Sequence, residues 1–214
     1  MIKAQDIRKS YHGEEVLRGI SLDISEGEFV SLMGKSGSGK STLLGVLGGF
    51  LVPDSGHVLY RGEDITAVGA DRLATLRRTE IGFVFQDFRL IPTLSVLDNI
   101  RLPSVLSGRR DAEGRIALLA ERLGITAMLR KYPGELSGGQ CQRAAIVRAL
   151  SFSPRLLILD EPTGALDTVN GEAVMALLCE ANRREGLTVL QVTHSEQVAA
   201  FGTRTVRIRD GVLE

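Results

Sequence analysis

The chain has 214 residues, with 26 basic and 26 acidic side chains, so its formal net charge is zero. This balance argues against non-specific nucleic-acid binding as its main activity, because proteins that bind that way carry a basic excess. The length suits one large domain, or one domain with an insertion. Two cysteines, Cys141 and Cys179, are too few for a disulfide framework and favour a reducing compartment.

The N-terminus, MIKAQDIRKS, is polar and lacks the apolar stretch of a secretory signal. The longest apolar run, residues 43–52, is too short and too rich in glycine to span a bilayer. We therefore expect a cytoplasmic chain without direct membrane insertion, for which any link to a membrane comes through a partner.

The first part of the chain predicts short strands separated by turn signals. The strand candidates are residues 3–11, 17–25, 28–34 and 56–65, and Asp54, Ser55 and Gly56 form one of the predicted turns. Short runs divided in this way are typical of antiparallel strands.

The middle and final parts predict helices and buried strands. Residues 112–123 place apolar side chains on one helical face, and a mostly helical insertion is expected from about Phe88 to Ala149, punctuated by Pro92, Pro103 and Pro133. Strand 156–160, helix 171–186 and strand 187–194 follow, and a hairpin pattern at 204–211 ends the chain. These elements predict one α/β domain, 1–214, in which residues 1–87 and 150–214 form the core with its antiparallel β layer and 88–149 form a helical subdomain.

Residues 34–42, GKSGSGKST, match the phosphate-loop pattern G-x-x-x-x-G-K-[ST] between an apolar strand and an apolar helix. Glycines let backbone N–H groups curl around an anion, and the dipole of a helix beginning at Lys40 points its positive end at that anion. Lys40 is expected to reach the β- and γ-phosphates, and Ser41 to bind Mg²⁺. The other predicted nucleotide contacts in this loop are Gly34, Lys35, Ser36, Gly37, Ser38, Gly39 and Thr42.

A second acidic element, LLILDEP, ends a buried strand with Asp160 and Glu161. In phosphate-loop proteins the strand-end aspartate stands near the metal, and the adjacent acid can polarise an attacking water. This pattern favours hydrolysis over binding alone, against the alternative that Asp160 caps a turn and Glu161 is merely solvated. No NKxD guanine-reading motif is present, so adenine is the expected base.

A second glycine-rich turn, LSGGQ at 136–140, opens a helix without a lysine beside it. Together with the phosphate loop, Gln86 in FVFQDF, LLILDEP, GALD at 164–167 and His194 in VTHS, it makes the whole chain resemble the ATP-binding cassette (ABC) ATPases. The resemblance implies the ABC ATPase fold: a phosphate-loop NTPase core with an N-terminal antiparallel β layer and a helical subdomain insertion.

The resemblance also implies roles for individual residues. Tyr11 resembles the aromatic residue that stacks on adenine, with an ordinary strand tyrosine as the alternative, and Val16 is expected to line the same base. Gln86 is expected to contact the metal or the attacking water, and His194 to sense the γ-phosphate, with a structural histidine as the alternative. The catalytic set implied in this way is Glu161, His194, Lys40 and Gln86, and the metal set is Ser41, Gln86 and Asp160.

In the resembling family two copies pack head to tail with ATP between them. The second turn of each copy then covers the nucleotide of the other, through Ser137, Gly138, Gly139 and Gln140, while Asp167 lies in a loop that crosses to the other subunit. The helix N-terminus and the approachable glycine amides suit a lid over a phosphate that Lys40 and Mg²⁺ already neutralise, so this turn needs no lysine. The implied ligands are ATP and Mg²⁺.

Finer features are similar to the branch of the LolD, MacB and FtsE ATPases, which work with an integral membrane permease subunit. Alternatives left open are an FtsE-like role in cell division without transport, and a cassette acting on DNA or ribosomes. Phe88, Leu90, Ile91 and Leu97 form either a socket for a partner helix or part of the insertion's own core. Cys141 and Ser195 depart from the family pattern, and Cys141 is either a small packing residue or an interface thiol.

Overall fold

A computed structural model describes residues 1–108 and 112–214. Its strands are β1 (Ile2–Tyr11), β2 (Glu14–Ile24), β3 (Phe29–Met33), β4 (Ser55–Tyr60), β5 (Glu63–Asp64), β6 (Ile81–Val84), β7 (Leu156–Asp160), β8 (Thr188–Thr193), β9 (Arg204–Arg209) and β10 (Val212–Leu213). Its helices are α1 (Lys40–Leu47), α2 (Ala70–Thr79), α3 (Val96–Leu106), α4 (Ala112–Arg122), α5 (Gly138–Leu150), α6 (Thr168–Glu185) and α7 (Glu196–Ala199).

The predicted antiparallel layer is a four-stranded sheet in the order β2-β1-β4-β5. Along β1 the buried residues Ile2 and Ala4 alternate with exposed ones, and after a register shift the next buried residue is Ile7. One face of this sheet therefore packs on the core, as the alternating pattern predicts. Ser55, which the sequence places in a turn, is instead the first residue of β4.

The second sheet has the order β10-β9-β3-β8-β7-β6, and its inner strands run parallel. Every residue of β3, β7 and β8 is buried, as expected for strands covered on both faces. In the register, Met33 pairs with Thr193 and Asp160 with Val192. The segments that leave these strands therefore emerge together at one edge of the sheet, where open α/β sheets place their ligands.

Helices α3, α4 and α5 form the helical region, with a core that includes Val96, Ile100, Ile116 and Ala145. The predicted helix over 112–123 corresponds to α4. Pro103 lies inside α3 and does not end it. Helix α2 has no counterpart in the sequence prediction, because Leu76 is its one buried residue and the apolar periodicity is correspondingly weak.

Within residues 1–108 and 112–214, no helix combines the length and the apolar character that crossing a membrane requires.

Candidate active site

The segments that leave β3, β6, β7 and β8 surround a cavity of about 650 Å³. Its walls come from the phosphate loop and from the residues that follow three buried strands. The lining residues are Val16, Gly34, Ser36, Gly37, Gly39, Lys40, Ser41, Thr42, Gln86, Gln142, Asp160, Glu161, Gly164, Ala165 and His194. The fold thus brings into one site groups that are up to 178 positions apart in sequence, from Val16 to His194.

The phosphate loop connects β3 to α1, and two of its glycines are required by its geometry. A Cβ atom on Gly34 would lie 2.3 Å from the carbonyl oxygen of Ile208 on β9. Gly39 adopts a φ of 98° at the N-cap of α1, in a region that favours glycine. Helix α1 begins at Lys40, so its N-terminal N–H groups face the cavity region where the sequence predicts phosphates.

Lys40 lies across the loop. Its Nζ donates hydrogen bonds to the carbonyls of Gly34 and Lys35, each at 2.7 Å. An ammonium group has three donors, so this arrangement holds the charge at the cavity and leaves one donor for another acceptor.

Ser41 and Asp160 meet at the base of the cavity. The Ser41 hydroxyl donates to Asp160 Oδ2 at 2.8 Å, although the two residues belong to different elements, α1 and β7. Asp160 is the buried last residue of β7, and Gln86 lines the same cavity. Hydroxyl, carboxylate and amide oxygens are hard donors of the kind that Mg²⁺ prefers, so the residues present fit this ion.

Glu161 and His194 form a pair at the mouth of the cavity, with His194 Nδ1 3.0 Å from Glu161 Oε1. An ionised carboxylate only accepts hydrogen bonds, so Nδ1 is the donor in this pair. Glu161 has a φ of 52° and its N–H donates to the Val192 carbonyl at 3.0 Å. A non-glycine residue in this region is strained, and such strain concentrates at functional sites.

The second glycine-rich turn lies outside this cavity's lining and is built differently. Ser137 is the N-cap of α5: its hydroxyl accepts from the Gln140 N–H at 3.3 Å, while Gln140 Oε1 accepts from the Ser137 N–H at 3.0 Å. This reciprocal pair is a capping box. Ser137 and Gly138 are exposed. Asp167 is also exposed, and it caps α6 by accepting a hydrogen bond from the Asn170 N–H at 2.9 Å.

Other predicted residues occupy distinct positions. Tyr11 is exposed at the end of β1, opposite Glu14 and outside the cavity lining, whereas Val16 lines the cavity. Ser38 is buried, and its Oγ has no hydrogen-bond partner among the described residues.

Cys141 is buried in its own chain, and its Sγ lies 3.7 Å from the Pro133 carbonyl oxygen. This burial favours the role of a small packing residue over that of an interface thiol.

The four residues predicted to form either a socket for a partner helix or an internal core differ in burial. Phe88, Leu90 and Leu97 are partly buried and pack against the chain's own core, while Ile91 is exposed. For three of the four residues the arrangement favours the alternative of an internal core.

Sequence reasoning missed Gln142, Gly164 and Ala165 as cavity residues. Gln142 is 1% exposed, and its Nε2 has no hydrogen-bond partner among the described residues. The available signal was a polar residue on the buried face of a helix, since Gln142 is flanked by the buried Cys141 and lies near Ala144 and Ala145. Such a residue needs a partner, and a site can supply one.

A phosphate loop on a parallel sheet, with a serine–aspartate pair at its base and a glutamate at its mouth, defines a phosphate-loop ATPase. The model of the ABC transporter family matches residues 17–164. The chain belongs to the ABC transporter family, as its ATPase cassette.

Solved structures and curated relatives agree with this assignment. The dimeric ATP-binding cassette MJ0796, in a post-hydrolysis state bound to ADP and Pi, superposes with a TM-score of 0.94 at 41% identity, covering 100% of this chain and 97% of that one. MacB macrolide export ATP-binding/permease proteins of Syntrophobacter fumaroxidans and Brucella melitensis are each 46% identical over 100% of this chain and over 31% and 34% of their own lengths. The pyoverdine export protein PvdT of Pseudomonas fluorescens is 46% identical over 100% of this chain and 33% of its own. The chain thus spans about a third of the length of these curated relatives.

Proposed function

We propose that this chain binds ATP with Mg²⁺ in the cavity at the sheet edge and hydrolyses it there. The phosphate loop supplies backbone N–H groups and the Lys40 ammonium to the β- and γ-phosphates. Ser41 and Asp160 hold Mg²⁺, directly or through water, and Gln86 completes this set. When bound, Mg²⁺ neutralises negative charge on the phosphate oxygens. The serine–aspartate contact of 2.8 Å supports this part of the proposal.

Glu161 acts as the general base for the attacking water, and the observation that carries this assignment is its pairing with His194 at 3.0 Å. The Glu161 side chain is mostly buried, whereas that of His194 is exposed. A carboxylate held in this way keeps one oxygen engaged and offers the other to a water. His194 positions Glu161 through its Nδ1–H. Donation to a γ-phosphate oxygen from Nε2 as well takes the imidazolium form of the ring, in which both nitrogens are donors.

The active unit we propose is a head-to-tail homodimer with ATP at its interface. Ser137, Gly138, Gly139 and Gln140 of one copy cover the nucleotide held by the other, and Asp167 lies in the crossing loop. The exposure of Ser137 and Gly138, outside the cavity of their own chain, supports this arrangement. The dimeric state of the MJ0796 cassette, bound to ADP and Pi, supports it further. Tyr11 and Val16 flank the adenine. Residues 88–149 form a helical subdomain on the core formed by 1–87 and 150–214.

We further propose that this dimer lies on the cytoplasmic face of the cell membrane and drives a permease. The names of the MacB and PvdT relatives, which join an ATP-binding part to a permease, support an export function of the LolD/MacB type. ATP closes the dimer and hydrolysis opens it, because the γ-phosphate contacts exist only in the closed state.

The direct test is Glu161→Gln, which keeps the size of the side chain and removes the base. Turnover should fall by a factor of about 10² to 10⁴, while ATP binding persists and ATP converts the monomer to a dimer in sedimentation. Asp210→Asn, at an exposed hairpin position, serves as a matched control and should hydrolyse ATP normally. If Glu161→Gln hydrolyses ATP at the wild-type rate, or stays monomeric with saturating ATP, the proposed mechanism is wrong.

A further inference from the structure

The segment after Gln86 contains two consecutive non-glycine residues in the left-handed region. Phe88 has a φ of 62° and Arg89 a φ of 45°. Each such residue costs roughly 1–2 kcal/mol relative to ordinary backbone, and neither is an asparagine or aspartate, which tolerate the region best. Local bonds from Phe88 N–H to the Phe85 carbonyl and from Arg89 N–H to the Asp87 carbonyl tighten the turn. Something outside the segment must stabilise this conformation.

Arg148, in the last turn of α5, supplies that stabilisation. Its Nη2 donates to the Phe88 carbonyl at 2.7 Å, and its Nη1 donates to the Arg89 carbonyl. The two carbonyls of the strained turn are thus held by one planar group whose donors lie in a fixed geometry. Burial lowers the pKa of Arg148, with the charge of Asp87 acting in the opposite direction. A desolvated guanidinium of this kind is costly unless its hydrogen bonds are made.

The other end of α5 lies close to the same segment. A Cβ atom on Gly138, the first residue of α5, would lie 4.0 Å from Phe88 Cζ. The carbonyl of Phe88 therefore binds Arg148 near the end of α5, while its ring lies near Gly138 at the start of α5. Gln86 lines the cavity two residues before this contact.

We propose that Arg148 is a positioning residue for hydrolysis, because its guanidinium holds the left-handed turn at Phe88 and Arg89 and thereby sets Gln86 at the cavity. It does not line the cavity and acts through Gln86 alone. The arrangement ties α5, which begins at the turn that covers the partner copy's nucleotide, to the glutamine of its own site. This inference rests on the proposed role of Gln86 in hydrolysis.

The test is a double-mutant cycle on steady-state ATP hydrolysis by the full chain. Arg148→Met should lower kcat by a factor of about 10 to 100, while KM for ATP stays within about threefold, because the phosphate loop that binds ATP is untouched. Gln86→Ala should lower kcat to a similar level, and the double variant should be no slower than either single one. Arg148→Lys keeps the charge without the two-pronged geometry, so it should recover only a small part of kcat.

Two further variants distinguish positioning from a purely structural effect. Arg115 also donates to a main-chain carbonyl, that of Leu150 at 2.8 Å, so Arg115→Met is the matched control and should leave kcat near the wild-type value. Arg89→Gly removes the steric cost of the left-handed region at that residue. Added to Arg148→Met, it should restore part of the lost kcat, and thermal unfolding of both variants shows whether the recovery exceeds any change in stability.

The outcomes separate the two proposals. Losses from Arg148→Met and Gln86→Ala that multiply, or a wild-type kcat in Arg148→Met, overturn the role of Arg148 and leave the proposed function intact. A wild-type kcat in Gln86→Ala contradicts the proposed role of Gln86 itself. If Arg148→Met does not fold, as judged by circular dichroism and thermal unfolding, the same cycle with Arg148→Lys decides the question.

Discussion

The two glycine-rich turns of this chain use similar residues for different physical reasons. In the first, Gly37 and Gly39 take positive φ values, and the loop curls around Lys40 in front of a cavity. In the second, Gly138 and Gly139 belong to a regular α-helix that a capping box begins. The first turn needs glycine for its backbone path, whereas the second keeps an ordinary helical path.

The two turns also differ in what surrounds them. The first turn is enclosed by its own chain, because a Cβ on Gly34 would lie 2.3 Å from the carbonyl oxygen of Ile208. At the second turn, a Cβ on Gly138 would make only ordinary contacts, at 3.8 Å to Ala165 and 4.0 Å to Phe88. Nothing within the described chain therefore requires glycine at 138. A requirement imposed by a ligand of another copy is the interpretation that we propose and that the following experiments test.

The largest effect is expected from a mixing experiment. Lys40→Ala removes the ammonium group of the first turn. Gly138→Asp places a negative charge in the second turn, at a helix position that favours acidic residues. Each variant alone should lose about 10²-fold or more in ATP turnover. In a head-to-tail heterodimer one site combines both lesions and the other contains neither. A random equal mixture should thus regain about a quarter of wild-type turnover, since half of the dimers have one of two sites intact.

Lys3→Ala is the control for the lysine variant, because Lys3 pairs with Asp23 on the exposed face of β1. Alone it should hydrolyse ATP at the wild-type rate, and an equal mixture with Lys40→Ala should give about half of wild-type turnover, because half of all sites are then intact. A mixture of the two defective variants that remains inactive would mean that both turns serve the same chain's nucleotide, and that the second turn does not cover the nucleotide of a partner.

A smaller effect tests the packing of the second turn. A Cβ on Gly139 would lie 3.0 Å from the Ala165 carbonyl and 3.2 Å from Leu166 Cδ2, tight contacts within the same chain. Gly139→Ala should therefore lower the midpoint of thermal unfolding, whereas Gly138→Ala should leave it unchanged and reduce turnover. Gly134→Ala, where a Cβ meets open space, is the control for both. Equal stability losses at 138 and 139 would contradict the distinction between them.

A substitution at Gln142 is expected to change stability and turnover in opposite directions. Gln142 lies in α5, the helix that the second turn begins, and lines the cavity of the first turn. Its buried Nε2 has no partner among the described residues, and an unsatisfied buried polar group costs about 1–3 kcal/mol. Gln142→Leu should raise the midpoint of thermal unfolding and lower turnover, the exchange expected of a residue kept for function. If stability falls and turnover is unchanged, Gln142 is an ordinary packing residue.

Local motifs and distant contacts differ in how far sequence predicts them. The phosphate loop, its flanking strand and helix α1 were predicted from sequence because their determinants lie within a few residues of one another. The predicted α/β core with its antiparallel layer was confirmed by the match to solved ABC cassettes. Helix α2 was missed because its single buried residue leaves almost no periodic signal.

The contacts that organise the site were not predictable in the same way. Arg148 binds carbonyls about 60 positions earlier in the chain, and no local pattern marks a main-chain acceptor. The left-handed turn at Phe88 and Arg89 contradicts local preference, since neither residue type favours that region. Tertiary contacts impose both features, and they become visible only once α5 is placed against the segment after β6.

The smallest effect concerns Asp167, the cap of α6 in the loop that we assign to the dimer interface. The Asn170 N–H, with a lesser contribution from the Asn170 side chain, holds the pKa of Asp167 below its ordinary value of 3.8. A lowered native pKa means that the cap's ionic contribution to stability is complete above 3.8 and is lost as the pH falls through the native value. Asp167→Asn keeps a good capping residue, so it should lower the unfolding midpoint only slightly at pH 7, and the difference from wild type should vanish in acid. Asn170→Ala removes the side-chain donor but keeps the N–H, so most of this pH dependence should survive in that variant. A difference between wild type and Asp167→Asn that stays constant from pH 7 into acid would show that the charge of Asp167 does not stabilise the cap.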